Sequence, residues 1–250
     1  MRRLPPALAF VFLLLVHSEA ADNKELWDSA AASYDAGEYP GAVEQYSKLI
    51  EKGFVSPELY YNLGNSYYKS GGLGPAIWAY RRALKLDPGM EQARTNLEYV
   101  REFNLDKIEV QRGGFILDIW NFFTGLTTVD GFILIFSAGW WCLAIILVRM
   151  ILKPIAALWP HYLLILSLVV AIFTGAAAVT RVRQDRLARW GVLVTPSADI
   201  REGPGDEFEK IEIGHEGLEF KILSEREKNY LIELKNGLRG WVAAETVLEI

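Results

Sequence analysis

Hydrophobic positions fall into four regimes along the chain. Leu4 to Val16 is a short apolar run behind Arg2 and Arg3. From Leu26 to Val100, apolar and small residues return every three or four positions, the spacing of helices with one buried face. Gly131–Val148 and Leu158–Val179 are long apolar stretches that contain no Asp, Glu, Lys or Arg. From Gly191 onward the pattern changes to short alternating runs, such as Phe220-Lys221-Ile222 and Tyr230–Leu234, separated by turn residues. The pattern predicts an export signal, a set of amphipathic helices, two long apolar helices and a small all-β region.

The first run is too short to span a bilayer comfortably, and Ser18-Glu19-Ala20 places small residues at the −3 and −1 positions of a cleavage site. It reads as a signal peptide over 1–20, with an uncleaved anchor as the rival reading. In the helical region, Tyr60, Leu63, Gly64, Tyr67, Ala76, Tyr80, Ala83 and Pro88 sit at the key spacing of the tetratricopeptide (TPR) repeat, which the segment resembles. The residue types have physical reasons. Gly64 and Ala76 lie where two helices cross, Gly71-Gly72 supplies the turn, and Pro88 cannot continue the second helix. One repeat length earlier, roughly 34 residues, Leu26, Ala30, Ala42, Tyr46 and Leu49 repeat the pattern more weakly, with Gly37-Glu38-Tyr39 as the turn. Met90 to Phe103 carries Ala93, Leu97 and Val100 on one face and charges on the other, as a solvated cap would.

The TPR resemblance implies a concave groove that holds a peptide or a partner's helix, lined by Trp27, Tyr34, Tyr61, Asn65, Tyr68 and Lys69. Asn65 and Lys69 are four apart, on one helical face, and suit a carboxylate or a peptide backbone. Taken singly, Lys69 also reads as a solvated charge and the tyrosines as inter-helix packing. Two repeats and a cap offer little area, so the helical region is expected to need a partner or self-association.

Residues 106–129 read either as an amphipathic helix at a membrane surface, with Trp120 at headgroup level, or as a loop on the cap. The two apolar stretches are long enough to cross a bilayer and too close in sequence to form anything but a hairpin. They hold no intramembrane acid or base of the kind that marks an ion or substrate path, so a transporter or channel is not expected. His161, beside Trp159, Pro160 and Tyr162, reads as an interface residue. An exported N-terminal region puts Arg149 and Lys153 inside, as the positive-inside rule asks. Arg181, Arg183, Arg186 and Arg189 after the second stretch argue the other way, unless they meet anionic headgroups outside.

In the β region, Asp199-Ile200-Arg201-Glu202-Gly203-Pro204-Gly205 and Asn236-Gly237-Leu238-Arg239-Gly240-Trp241-Val242 resemble the two signatures of bacterial SH3 (SH3b) domains. That resemblance implies peptide or cell-wall ligands, with Arg201, Tyr230 and Trp241 as candidate surface residues. Trp241 is also expected to close the core.

The remaining composition narrows the chemistry. A net charge of −5 gives no nucleic-acid signature. Cys142 is the sole cysteine, so no internal disulfide or multi-cysteine metal site exists. With Cys142 in an apolar run and His17, His161 and His215 in separate segments, no catalytic constellation is predicted and no cofactor is expected.

The expected class is a multidomain membrane protein: all-α TPR helical repeats, two transmembrane helices and an all-β SH3-like (SH3b) small barrel. Its divisions are the signal peptide 1–20, repeats over 21–56 and 57–89, a capping helix 90–105, a linker 106–129, spans 130–152 and 158–180 around a turn 153–157, a basic linker 181–190, and the SH3b domain 191–250. This architecture resembles the BatE-type membrane proteins of bacterial aerotolerance operons. The resemblance implies an inner-membrane, non-enzymatic scaffold in aerotolerance or envelope stress. Its implied partners are membrane-anchored von Willebrand factor A proteins and a MoxR-type AAA+ ATPase. The alternative is an envelope tether or sensor whose SH3b domain binds peptidoglycan.

Overall fold

The computed structural model describes residues 22–106, 119–120, 122, 129–152, 159–182 and 188–250. The signal peptide, most of the linker 106–129, the turn 153–157 and residues 183–187 lie outside the described residues. The chain divides into two compact units: its two ends together form one, and residues 110–188 form the other.

The end unit begins with five helices: α1 over 22–35, α2 (Tyr39–Glu51), α3 (Pro57–Lys69), α4 (Leu73–Leu86) and α5 (Glu91–Glu102). Their limits follow from local chemistry. Ser56 Oγ accepts the Leu59 N–H at 3.1 Å and Pro57 takes the first helical position of α3, where a missing N–H costs nothing. Pro88 stops α4 two residues past its end. Ala42, Tyr46 and Leu49 of α2 pack with Leu59 and Leu63 of α3, and Tyr60, Ala76, Tyr80 and Ala83 pack with Ala93, Leu97 and Val100 of α5. Gly64 is required by a close approach: a Cβ there would lie 2.7 Å from Tyr80 Cε1. This is the crossing that the repeat pattern predicts.

Seven antiparallel strands complete the unit: β1 (Arg189–Leu193), β2 (Ser197–Arg201), β3 (Lys210–His215), β4 (Glu219–Arg226), β5 (Asn229–Glu233), β6 (Arg239–Ala243) and β7 (Val247–Glu249). Their order is β3-β2-β6-β5-β4-β1-β7. Leu193, Ile200, Phe220, Ile222, Ile232 and Val242 form the core. The β5–β6 hairpin turns at Asn236-Gly237, where Gly237 has φ +85° and Asn236 Oδ1 accepts the Leu238 N–H at 3.0 Å. Two expectations are corrected here. Alternation along β6 buries Gly240 and Val242 and turns Trp241 to the outer face, half-buried opposite Leu231, so Val242 closes the core. And β1 begins at Arg189, inside the segment expected to be a basic linker.

The sheet docks on the helices. β1 and β7 pack against α4, and Val192 is fully buried among Ile77, Tyr80 and Leu97. Trp78 Nε1 donates to Glu249 O at 2.8 Å, Lys85 Nζ to Ile250 O at 2.9 Å, and the Arg81 guanidinium lies 5.4 Å from the Trp190 ring centre. The stabilising partner that two repeats lack is therefore supplied by the other end of the same chain. α5 keeps a solvated face at Glu91, Arg94 and Glu98, yet it is not the last layer of the packed body.

The second unit is built from α6 (Val129–Leu152) and α7 (Trp159–Val182). At about 1.5 Å per residue each is roughly 36 Å long, enough for a hydrocarbon layer of about 30 Å. They pack through Phe132, Ala171, Thr174 and Ala177, with Phe136 against Gly175. Most other apolar side chains, including Leu134, Trp141, Ile145 and Ile151, are exposed. That exposure does not suit core helices of a soluble domain. Trp120 rests edge-on against Phe173 of α7, ring centres 5.3 Å apart.

Candidate aromatic pocket

The helices enclose a concavity of about 250 Å³ lined by Tyr34, Tyr61, Asn65, Tyr68, Lys69, Tyr80, Asn96, Tyr99 and Val100. α1 contributes Tyr34, α3 four residues spaced along one face, α4 Tyr80, and α5 the remaining three. Five of the six groove residues expected from the sequence meet there. Trp27 stands apart: it lies nearer the start of α1, its ring 5.7 Å from Tyr46 and 6.3 Å from Phe54, and packs in the first-repeat core.

Polar groups in the pocket are ordered by a small network. The Tyr80 hydroxyl donates to Asn65 Oδ1 at 2.7 Å and Asn96 Nδ2 donates to the same oxygen at 2.9 Å. With its oxygen occupied twice, Asn65 presents its amino group, which makes no hydrogen bond among the described residues. Lys69, exposed one helical turn further, has no ion-pair partner among the described residues. Burial pushes the Tyr80 phenol far above its ordinary range, and burial followed by the neighbouring Tyr39, Tyr61 and Asp35 raises Tyr34. Lys69 is the one Lys, Arg, Asp or Glu among the residues that line the pocket. The pocket thus sets one ammonium beside a phenolic floor, with the Asp35 carboxylate near enough to Tyr34 to act on it. Tyr68 and Tyr99 extend that floor edge-on, their ring centres 5.8 Å apart.

Sequence reasoning missed Tyr80, Asn96, Tyr99 and Val100. Tyr80 reads as core in the repeat pattern, and its hydroxyl alone reaches the pocket network. Tyr99 stands one repeat length beyond Asn65, so treating α5 as the first helix of a third repeat, and not as a cap, exposes it.

The three candidate residues of the β region do not form a comparable site. Arg201 is committed to its own turn: Nη1 donates to Asp206 O at 3.1 Å and Phe208 O at 2.9 Å, and Nη2 to Asp199 Oδ2 at 3.0 Å. Tyr230 lies under the Arg189 guanidinium, 5.7 Å from its ring centre, and packs on the core. Trp241 stands beside Arg201 on the outer face. A larger hollow of about 520 Å³ on α6, lined by Trp141, Ala144, Ile145, Val148, Arg149 and Leu152, is one apolar helix face that lipid would cover in a bilayer.

A family model for the TPR repeat matches residues 31–71, which span the end of α1, all of α2 and α3, and the turn that follows. The chain thus carries a TPR repeat, the kind of module that generally mediates protein–protein contact. No curated protein matches the sequence.

Proposed function

We propose that this chain is a non-enzymatic, membrane-anchored adaptor whose TPR pocket captures a carboxylate-bearing segment of a partner protein. The observation that carries the reading is the pair formed by the Asn65 amino group and the Lys69 ammonium one turn away, neither of which meets a polar partner among the described residues. Both are donors, so a group that only accepts, a carboxylate, suits them, while the tyrosines take an adjacent apolar side chain. The β region, with the strand signatures of an SH3b domain, acts as structural support. That two of its candidate ligand residues are engaged internally favours this over a cell-wall tether.

The membrane reading rests on the length, apolarity and exposure of α6 and α7. Two crossings return the chain to the side it left, which agrees with the packing of its two ends into one body. Arg189, one of the four arginines that argue for a cytoplasmic end, is held by Glu249 at 2.7 Å and Glu225 at 3.3 Å within the sheet. We place both ends on the extracytoplasmic face of a bacterial inner membrane. The BatE-type resemblance then suggests an aerotolerance or envelope-stress assembly, with a von Willebrand factor A protein as the segment's owner.

The test uses the full chain in phosphatidylcholine nanodiscs and a synthetic peptide ending in Leu-Glu with free carboxylates. The peptide is expected to bind, and Lys69→Gln to weaken binding by about tenfold, the scale of one charge-assisted hydrogen bond. Equal affinity for the fully amidated peptide, or an unchanged affinity in Lys69→Gln, overturns the reading.

A further inference from the structure

The turn joining β3 to β4 grips the helical region through four of its five residues, while Leu218 packs into the core of the sheet. The His215 N–H donates to Asp106 Oδ2 at 2.7 Å, and His215 Nδ1 lies 2.8 Å from Asp106 Oδ1. Glu216 Oε1 accepts the N–H of Gly74 at 3.0 Å, in the first turn of α4, where an anion meets the positive end of the helix. Gly217 O accepts from Asn104 Nδ2 at 2.7 Å. Glu219, only 5% exposed, accepts from Arg101 Nε and Nη2 at 2.7 and 2.8 Å and faces Arg81 Nε at 3.1 Å.

These contacts fall on α4 and on α5 and the residues just after it. α4 supplies Tyr80 to the pocket and α5 supplies Asn96, Tyr99 and Val100. Val100 lines the pocket while its neighbour Arg101 turns to Glu219. The end of α5 is also held by Val100 in the helical core and by Phe103, whose ring centre lies 6.4 Å from that of Tyr68, so the turn adds polar anchors to an apolar contact. Phe103 and Leu105 around it are exposed.

We propose that the His215–Glu219 turn is a clamp that sets the spacing of α4 and α5, and so tunes the affinity of the aromatic pocket through residues that touch no ligand. The proposal rests on the pocket reading above. Glu219 and Glu216 are then positioning residues, and docking of the sheet and capture of a ligand are coupled in both directions. A ligand bound by Asn65 and resting on Tyr99 needs α5 in place, so it tightens the clamp by as much as the clamp tightens it. The lever acts because Glu219 is buried, and removing its charge leaves the buried Nε of Arg81 facing no anion, while the partly exposed Arg101 loses its partner to water.

The test compares the wild-type chain, Glu219→Gln and Glu216→Gln, each full length in phosphatidylcholine nanodiscs, by two readouts. Hydrogen exchange over Glu91–Glu102 is expected to accelerate about tenfold in Glu219→Gln while Tyr39–Glu51 keeps its wild-type protection. The affinity for the Leu-Glu peptide, measured well below the unfolding midpoint, is expected to fall severalfold in the same variant. A merely structural contact would lower the midpoint and leave that affinity alone. Unchanged exchange in α5, or faster exchange with unchanged affinity, overturns the clamp. Should Glu219→Gln unfold the helices as a whole, Glu216→Gln, which removes the negative charge from the first turn of α4, is read on a folded chain by exchange over Leu73–Leu86 and by the same peptide affinity, and no change in either overturns the clamp. If Lys69→Gln leaves peptide affinity intact, the pocket reading fails, and the exchange arm still decides whether the turn holds α5.

Discussion

Glu219 joins two segments that are more than a hundred residues apart in the chain. Burial on its own would push its carboxyl up, but the hydrogen bonds from Arg101, then the charges of Arg101, Arg81 and Lys235, outweigh that and leave it below the ordinary carboxylate range. A lowered value in the folded state means the docked form prefers the ionised acid. Its contribution is complete above the ordinary value of 4.5 and disappears as pH falls through the depressed one. Glu219→Gln carries no charge at any pH. The stability difference between wild type and Glu219→Gln is therefore expected to be full at neutral pH and to shrink toward zero in acid, read from urea unfolding at stepped pH. A difference that persists unchanged in acid would show that the Glu219 charge has no part in docking. Residues of this kind are invisible in the sequence. Gly64 declares itself because a small residue at a fixed repeat position has one explanation, the approach of Tyr80. Glu219, by contrast, sits in an ordinary alternating strand, and its partners are ordinary helix arginines. The outward turn of Trp241 was misread for a related reason: bulk suggests a core role, whereas strand alternation assigns the core to Val242.

Among elements, the ones with strong local signals were legible. α3 shows this best: Tyr60, Leu63 and Gly64 of the repeat pattern lie on its buried face, while its Ser56 cap is a finding of the structure. Ser56→Ala removes the oxygen that accepts the Leu59 N–H and is expected to cost about 1 kcal/mol of stability, read as a lower unfolding midpoint of the end unit. A midpoint equal to wild type would mean that water replaces the cap at no cost. The Asn236-Gly237 turn signal marked the right place but not the right length: Leu234 pairs with Leu238 through an N–H to O bond of 2.9 Å, so the loop has three residues and Gly237 takes the left-handed position that closes it. β3 was not legible, because Arg201 to Lys210 interleaves glycine, proline and acids in a long connection. The role of α5 was half legible. Its buried face of Ala93, Leu97 and Val100 was evident, but its use as a pocket wall and as the clamp's handle depends on neighbours from α3 and from the sheet.

At the scale of the whole molecule, the docking of the two ends restricts topology more tightly than any count of charged residues. The interface contains Val192 with no exposed surface, the Glu219 ion cluster and the Trp78 and Lys85 bonds to the last two residues of the chain. An end domain on the opposite side of a membrane would leave Val192 in water and Glu219 without Arg101 and Arg81, so the packed unit can form only when both ends share a compartment. Chains carrying a single cysteine at Lys52 or at Glu227, both exposed and both remote from the interface, with Cys142 replaced by serine, test this directly. An impermeant maleimide added to spheroplasts is expected to label both positions, as an exported N-terminal region requires. Labelling of Lys52→Cys without Glu227→Cys would separate the two ends and with them the clamp. Labelling of neither until the cells are lysed would keep the interface and the pocket but turn the molecule over, with both ends facing the cytoplasm.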